Sequence, residues 1–108
     1  GYPTANVHPD TEILPAAGVY LVSISINHGK RYWGMANLGL QPTFGKNKFR
    51  VEVNIFDFNQ SIYGADVNIY FIKYMRSEKY FASPDQLKAQ LLEDELLARK
   101  ILKDVEMD

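Results

Sequence analysis

Apolar residues recur at every second position in several segments of this chain, and this period restricts its fold more than any other feature. In one segment the period places Tyr20, Val22, Ile24 and Ile26 on one side of an extended backbone. The stretch "FRVEVNIFDF" repeats the period, with Val51 and the two alternate apolar residues that follow it. A period of two is typical of half-buried strands, so these segments predict a β-sheet with one apolar face.

Glycine- and proline-marked loops separate the predicted strands. Asn27, His28 and Gly29 supply turn chemistry, with glycine able to take a positive φ. The strand that returns from Arg31 is expected to end at Leu38, where the loop "GLQPTFGKNK" follows, and "VNIYFIKYMR" is a further strand. The opening "GYPTAN" is read as a turn. This spacing indicates an all-β antiparallel sandwich or barrel.

The last quarter of the chain predicts one helix, over about residues 84–103. Ser83 is the expected N-cap, Pro84 suits the first helical position, and Gln86 stands where a capping box requires it. The tail from Asp104 is expected to fray. Apolar residues at helical spacing would form the stripe that faces the sheet: Leu87, Leu91, Ala98, Ile101 and Leu102.

Composition narrows the class of protein. The 108 residues suit one domain, and 46% hydrophobic with 23% charged residues is typical of a globular chain. The absence of cysteine excludes disulfides and thiolate catalysis. A net charge of −1 without a basic cluster argues against a nucleic-acid partner, and no apolar run is long enough for a membrane span. His8 and His28 are expected at the surface.

Two polar groups are candidates for chemistry. Glu52 lies mid-strand between Val51 and Val53, and is either a solvated carboxylate or a rigidly held general base. Thr4 and Asn6 alternate, so both occupy one face of an extended segment. They are either ordinary turn residues or neutral oxygen ligands for a magnesium ion whose charge a phosphate would balance.

Two loops and one connection are weaker candidates. "ANLG" and "QPTFGKNK" contain glycine that would let backbone amides approach an anion, but neither matches a P-loop. The segment "MRSEKYF" is read as a solvated charged connection between the last strand and the helix.

An ordered set of motifs resembles one family. From Gly1 to about Lys100 the chain carries "GYPTAN", "LPAAGVYLV", "YWGMANLGLQPTF", "VEVNIFDF", "IYG" and "MRSEKYF". The set is similar to the riboflavin kinase (flavokinase) domain at the C-terminal end of bacterial bifunctional riboflavin kinase/FAD synthetases. The resemblance implies a six-stranded antiparallel Greek-key barrel with a C-terminal helix. It also implies that residues 1–108 form one kinase domain, a fragment whose first strand and Gly-rich loop lie upstream.

The resemblance also implies a reaction and its site. Family members transfer the γ-phosphoryl group of ATP to the 5′-hydroxyl of riboflavin, giving FMN and ADP, with Mg²⁺. Glu52 matches the family's base, and Thr4 and Asn6 match the residues at the metal and the phosphates. Pro3, Ala5 and Asn37 are further expected at the ATP phosphates, and the flavin is expected beside Arg76, Phe81 and Leu87. The enzyme would be cytoplasmic and covalently linked to an N-terminal adenylyltransferase domain.

The sequence is also compatible with functions that involve no phosphoryl transfer. A small barrel can hold a flavin or a nucleotide without turnover. An OB-type single-strand nucleic-acid binder would use Tyr32, Trp33 and Phe44 as stacking surfaces. The segment can also be an assembly scaffold within a longer enzyme.

Overall fold

The computed structural model describes residues 4–7, 16–43, 46–61 and 64–107. Contacts group the chain into two compact units, Gly1–Glu78 and Lys79–Asp108. The first unit is an antiparallel sheet and the second is helical, as the sequence predicts. The elements are β1 (Thr4–Val7), β2 (Gly18–Ile26), β3 (Arg31–Thr43), β4 (Lys46–Ile55), β5 (Val67–Arg76) and α1 (Pro84–Met107).

The sheet has a Greek-key strand order, β1-β4-β3-β2-β5. The consecutive strands β2, β3 and β4 pair as antiparallel neighbours, and β5 returns to pair with β2. This return beside the first strand of a three-strand meander defines the Greek key. The described residues form five strands, whereas the expected barrel has six. No pairing of β1 with β5 closes the described strands into a barrel.

One face of the sheet carries the main apolar core, but the opposite face of β2 and β3 also buries Leu21 and Met35, so the prediction of a single apolar face is wrong there. The fully buried side chains of the main core come from alternate positions of the three central strands, as the period of two predicts. Tyr20 lies at its edge, where its ring meets Phe71 and Tyr74 edge to face, with centroids 5.0 and 5.3 Å away. The Tyr20 hydroxyl donates to the carbonyl of Ala16 at 2.5 Å. The core comprises Tyr20, Val22, Ile24, Ala36, Leu38, Val51, Val53, Ile55 and Phe58.

Two segments read as turns or loops are strands. Thr4–Val7 is β1, antiparallel to β4, and β3 continues through Pro42 to Thr43 before β4 begins at Lys46. The turn preference of these residues is local, whereas the ladder with β4 supplies hydrogen-bond partners that the local sequence does not reveal. Both predictions of irregular structure are therefore wrong for the described residues.

The β2–β3 turn uses positive φ at Asn27 and His28, at 52° and 57°, and not at Gly29. Asn27 is held from both sides of its peptide, because its N–H donates to the carbonyl of Asp66 and its Oδ1 accepts from the N–H of Asp66. Glycine is able to take a positive φ, but in this turn the two residues before it do so. Asparagine tolerates this region because its short side chain can bond locally.

The helix of the second unit begins where its capping residues predict. Ser83 Oγ accepts from the backbone N–H of Gln86 at 3.2 Å, and Gln86 Oε1 accepts from that of Ala82 at 3.0 Å. The helix extends to Met107, so the expected fraying from Asp104 is not seen at 104–107. Leu87, expected in the buried stripe, is 42% exposed. No helix in the described ranges is long and apolar enough to cross a membrane.

Candidate functional site

A row of residues at equivalent positions crosses all five strands. Asn6 of β1 is opposite Glu52 of β4, and Glu52 is opposite Asn37 of β3. The row continues through Val19 of β2 to Arg76 of β5. Directly opposite residues of an antiparallel pair share a face and lie about 5 Å apart. Because Val51 and Val53 face the core, this row belongs to the other face, which we call the polar face.

We call these five residues the polar row, and Glu52 is its second member, between Asn6 and Asn37. Its strand neighbours Val51 and Val53 are buried, so packing fixes the backbone that carries it. The side chain is 47% exposed, and its Oε1 lies 3.8 Å from the Arg50 guanidinium, itself 51% exposed. A pair this long and this solvated contributes little to stability. The Glu52 carboxylate is therefore attached to a backbone held in place by packing, and it is accessible to a substrate whose proton it would accept.

β1 brings the predicted metal ligands to this carboxylate. Asn6 pairs with Glu52, and Thr4 pairs with the buried Asn54, so both predicted positions lie on the polar face. Ala5 pairs with Val53. Pro3 lies outside the described residues.

Asn37 flanks Glu52 on the side away from β1. Its Oδ1 is buried and has no hydrogen-bond partner among the residues that the structure describes. An unpaired buried acceptor costs about 1–3 kcal/mol, so such atoms are uncommon and call for a physical reason.

Glu78 also reaches the polar face, which the sequence did not predict. A Cβ placed on Gly39 would lie 2.6 Å from Glu78 Oε1, so the carboxylate occupies the space that a side chain at position 39 would fill. Gly39 is two residues from Asn37 on β3 and therefore on the same face. The segment "MRSEKYF" was read as a solvated connection. The sequence placed Gly39 in a loop, so only its observed position inside β3 marks it as a glycine at a close approach.

The predicted flavin residues divide between the two units. Arg76 ends β5 in the polar row, and its Nη1 donates to the carbonyl of Ser77 at 2.9 Å. The β2–β5 register shifts beside it, between Val19 and Tyr20. Phe81 and Leu87 belong to the helical unit. Their role beside a flavin stays a prediction.

A separate cavity of about 350 Å³ opens at the other end of the sheet, where its lining includes Tyr32, Phe58 and Gly64. Tyr32 is five residues along β3 from Asn37, about 17 Å at the usual rise, so this cavity does not coincide with the polar row.

The residues proposed as nucleic-acid stacking surfaces do not form one surface. Tyr32 packs edge to face on Phe58 at 4.9 Å on the core side, while Trp33, next along β3, belongs to the opposite face. Phe44 lies outside the described residues. In the described ranges no three His, Cys, Asp or Glu side chains cluster as a metal site. His8 is not described, and His28 Nδ1 lies 3.4 Å from Asn68 Nδ2.

Comparison with known proteins agrees with the resemblance. The family model for flavokinase, riboflavin kinase, matches residues 1–102. Bifunctional riboflavin kinase/FMN adenylyltransferases from Escherichia coli K12 and Bacillus subtilis are 39% and 42% identical over 93% and 87% of the chain. The chain spans 32% and 31% of their lengths, about one third.

A solved structure shares the fold. It is described as a macrolide-efflux protein from Streptococcus pneumoniae, is 46% identical, and superposes with a TM-score of 0.83. The match covers 91% of this chain and 32% of that one.

Proposed function

The chain belongs to the riboflavin kinase family, and on this premise we propose that it transfers the γ-phosphoryl group of ATP to the 5′-hydroxyl of riboflavin. The products are FMN and ADP. The observation that carries the proposal is the register of β1 on β4, because it puts Asn6 directly opposite Glu52. A metal-and-phosphate position and a general base thereby become neighbours on one rigid face.

Glu52 acts on the alcohol. An alcohol is a weak nucleophile in water, and a carboxylate that accepts a hydrogen bond from the 5′-hydroxyl both orients it and takes its proton. As the O–P bond to the γ-phosphorus forms, the bond from that phosphorus to the β–γ bridging oxygen breaks, and ADP leaves with the electron pair. The partial exposure of Glu52 supports this role, since the carboxylate is accessible from solvent.

Thr4 and Asn6 would hold Mg²⁺. A hydroxyl and an amide oxygen are hard neutral ligands, and a metal bound by few protein groups with phosphates completing its shell is usual in phosphoryl transfer. The donor set of β1 therefore fits the ion. When bound, Mg²⁺ supplies charge neutralisation at the transferring phosphoryl group.

The remaining predicted contacts surround this centre. The Asn37 Nδ2 group and the backbone N–H of Ala5 would donate to the phosphates, since phosphate oxygens accept hydrogen bonds. Pro3 has no backbone N–H, so it would lie beside the phosphates without donating to them. Arg76 of the first unit would lie beside the flavin, and Phe81 and Leu87 of the second unit stay proposed flavin residues, because an apolar and aromatic lining is suitable for the ring.

The sheet and the relatives suggest the wider context. We infer that the Greek-key sheet is part of a closed six-stranded barrel, because the order of its strands is that of a Greek-key barrel. The curated relatives are bifunctional, which supports covalent linkage to an adenylyltransferase that uses the FMN. The proposed subcellular location is the cytoplasm.

The test is direct product formation. The chain is incubated with riboflavin, ATP and Mg²⁺, and FMN is separated from riboflavin by chromatography with fluorescence detection. We expect one FMN for each ADP, and none when EDTA removes the divalent ion. Riboflavin that binds without FMN appearing in the complete mixture would contradict kinase activity and leave a non-catalytic flavin binder.

A further inference from the structure

The buried Oδ1 of Asn37, without a partner in the described part of the chain, lies on the residue next to the proposed base. An amide oxygen only accepts hydrogen bonds, so the group that satisfies it is an O–H or N–H donor or a cation. Phosphate oxygens at neutral pH are acceptors, which excludes a direct contact between this atom and the ATP phosphates. The atom therefore matches a different part of the reacting pair.

The order of the residues in the polar row helps to decide whether the partner of Asn37 Oδ1 is a cation or a hydrogen-bond donor. Asn6 lies on one side of Glu52 and Asn37 on the other. Neighbouring strands are about 4.8 Å apart, so Asn37 is about 10 Å from the position of Asn6. Ligand oxygens lie about 2.1 Å from a magnesium ion. At this separation, only long side chains could both reach one ion. Asparagine is a short side chain. Asn37 Oδ1 therefore does not share the ion proposed at Thr4 and Asn6, and a hydrogen-bond donor is the partner that we consider for it.

We propose that Asn37 is a positioning residue for the acceptor substrate, whose Oδ1 accepts a hydrogen bond from a hydroxyl of the polyol side chain. This inference rests on the proposed function and adds the determinant that selects a polyol chain. The reacting alcohol lies at Glu52, and the next hydroxyls along the chain extend over β3 toward Val19 and Arg76, away from the metal on β1. The bound substrate would thereby supply a donor to an acceptor that has no partner among the described residues.

The experiment compares riboflavin with lumiflavin, which carries the same ring with a methyl group in place of the hydroxylated chain. Binding of each flavin to the chain and to Asn37→Leu is followed by quenching of flavin fluorescence. We expect Asn37→Leu to weaken riboflavin binding about five- to tenfold, the value of one neutral hydrogen bond, and to leave lumiflavin binding unchanged. Its melting temperature should equal or exceed that of the parent chain, because leucine of similar size removes the unsatisfied acceptor.

Asn68→Leu is the matched control. Asn68 is on the polar face of β5, opposite Ser25 and distant from Glu52, so its replacement should not change the preference for riboflavin. An Asn37→Leu chain that keeps the full preference for riboflavin overturns the inference. So does one that loses affinity for both flavins and has a lower melting temperature.

FMN formation by the parent chain is measured in parallel. Product together with an unchanged preference refutes only this inference, whereas a lost preference without product refutes only the kinase proposal.

Discussion

At the scale of residues, a side chain of the polar face and one of the core face differ in how well their polar atoms are satisfied. Asn37 keeps a buried oxygen without a described partner, whereas on the core face the Tyr20 hydroxyl donates to Ala16. The unsatisfied group is next to Glu52 and the satisfied one is in the core. This contrast is expected when a functional site keeps a destabilising group and the packing around the site stabilises the fold.

Tyr20 gives a prediction about alkaline pH. Burial, and secondarily the nearby Tyr74, raise the pKa of the Tyr20 phenol. A raised pKa in the folded state means that the neutral phenol stabilises the fold below pH of about 10 and that this contribution is lost as pH rises toward the folded pKa. Tyr20→Phe should cost about 1 kcal/mol of unfolding free energy at pH 8, through the lost hydrogen bond. That cost should shrink between pH 9 and 11 in urea titrations.

Tyr80→Phe is the control for this titration, since Tyr80 is fully exposed. It should not change the unfolding free energy at any of these pH values. A cost of Tyr20→Phe that stays constant up to pH 11 would show that the phenol does not titrate differently in the folded chain.

At the scale of elements, β3 is the strand that brings the site together, because it pairs with both β2 and β4. Atoms of other residues come closest to the backbone of β3 at its glycines. A Cβ on Gly34 would clash with the backbone oxygen of Asn54 and lie 2.9 Å from Ile24 Cδ1 and 3.2 Å from Ile55 Cα. These are core and ladder atoms, which cannot move without disturbing the pairing of β3 with β4.

Gly34→Ala should therefore lower the unfolding free energy by about 1–3 kcal/mol, the usual cost of overpacking. Gly39→Ala is the matched control on the same strand, because its Cβ would meet only the end of the flexible Glu78 side chain, at 2.6 Å. Its effect should stay within about 0.5 kcal/mol. Chemical denaturation measures both, and equal costs for the two variants would contradict the assignment of close contact at Gly34.

At the scale of the whole molecule, the sequence predicted what local patterns determine. Alternation identified the core face of β2, and Ser83 with Gln86 marked the start of α1. Pairings between distant segments were not predictable. The short β1 exists through its ladder with β4, and the placement of Asn37 beside Glu52 depends on a register that no local pattern encodes. The family resemblance supplied the proposed roles of Thr4, Asn6 and Glu52, which their residue types alone left undecided.

The most direct test of the account is the rate of phosphoryl transfer in Glu52→Gln under single-turnover conditions, with riboflavin binding measured separately by fluorescence. The amide keeps the size of the side chain but cannot take the proton, so the rate should fall by about 10²–10⁴-fold while riboflavin affinity changes little. Glu93→Gln, an exposed position on α1, is the matched control and should transfer at the parent rate. A Glu52→Gln chain that makes FMN at the parent rate would contradict the central claim.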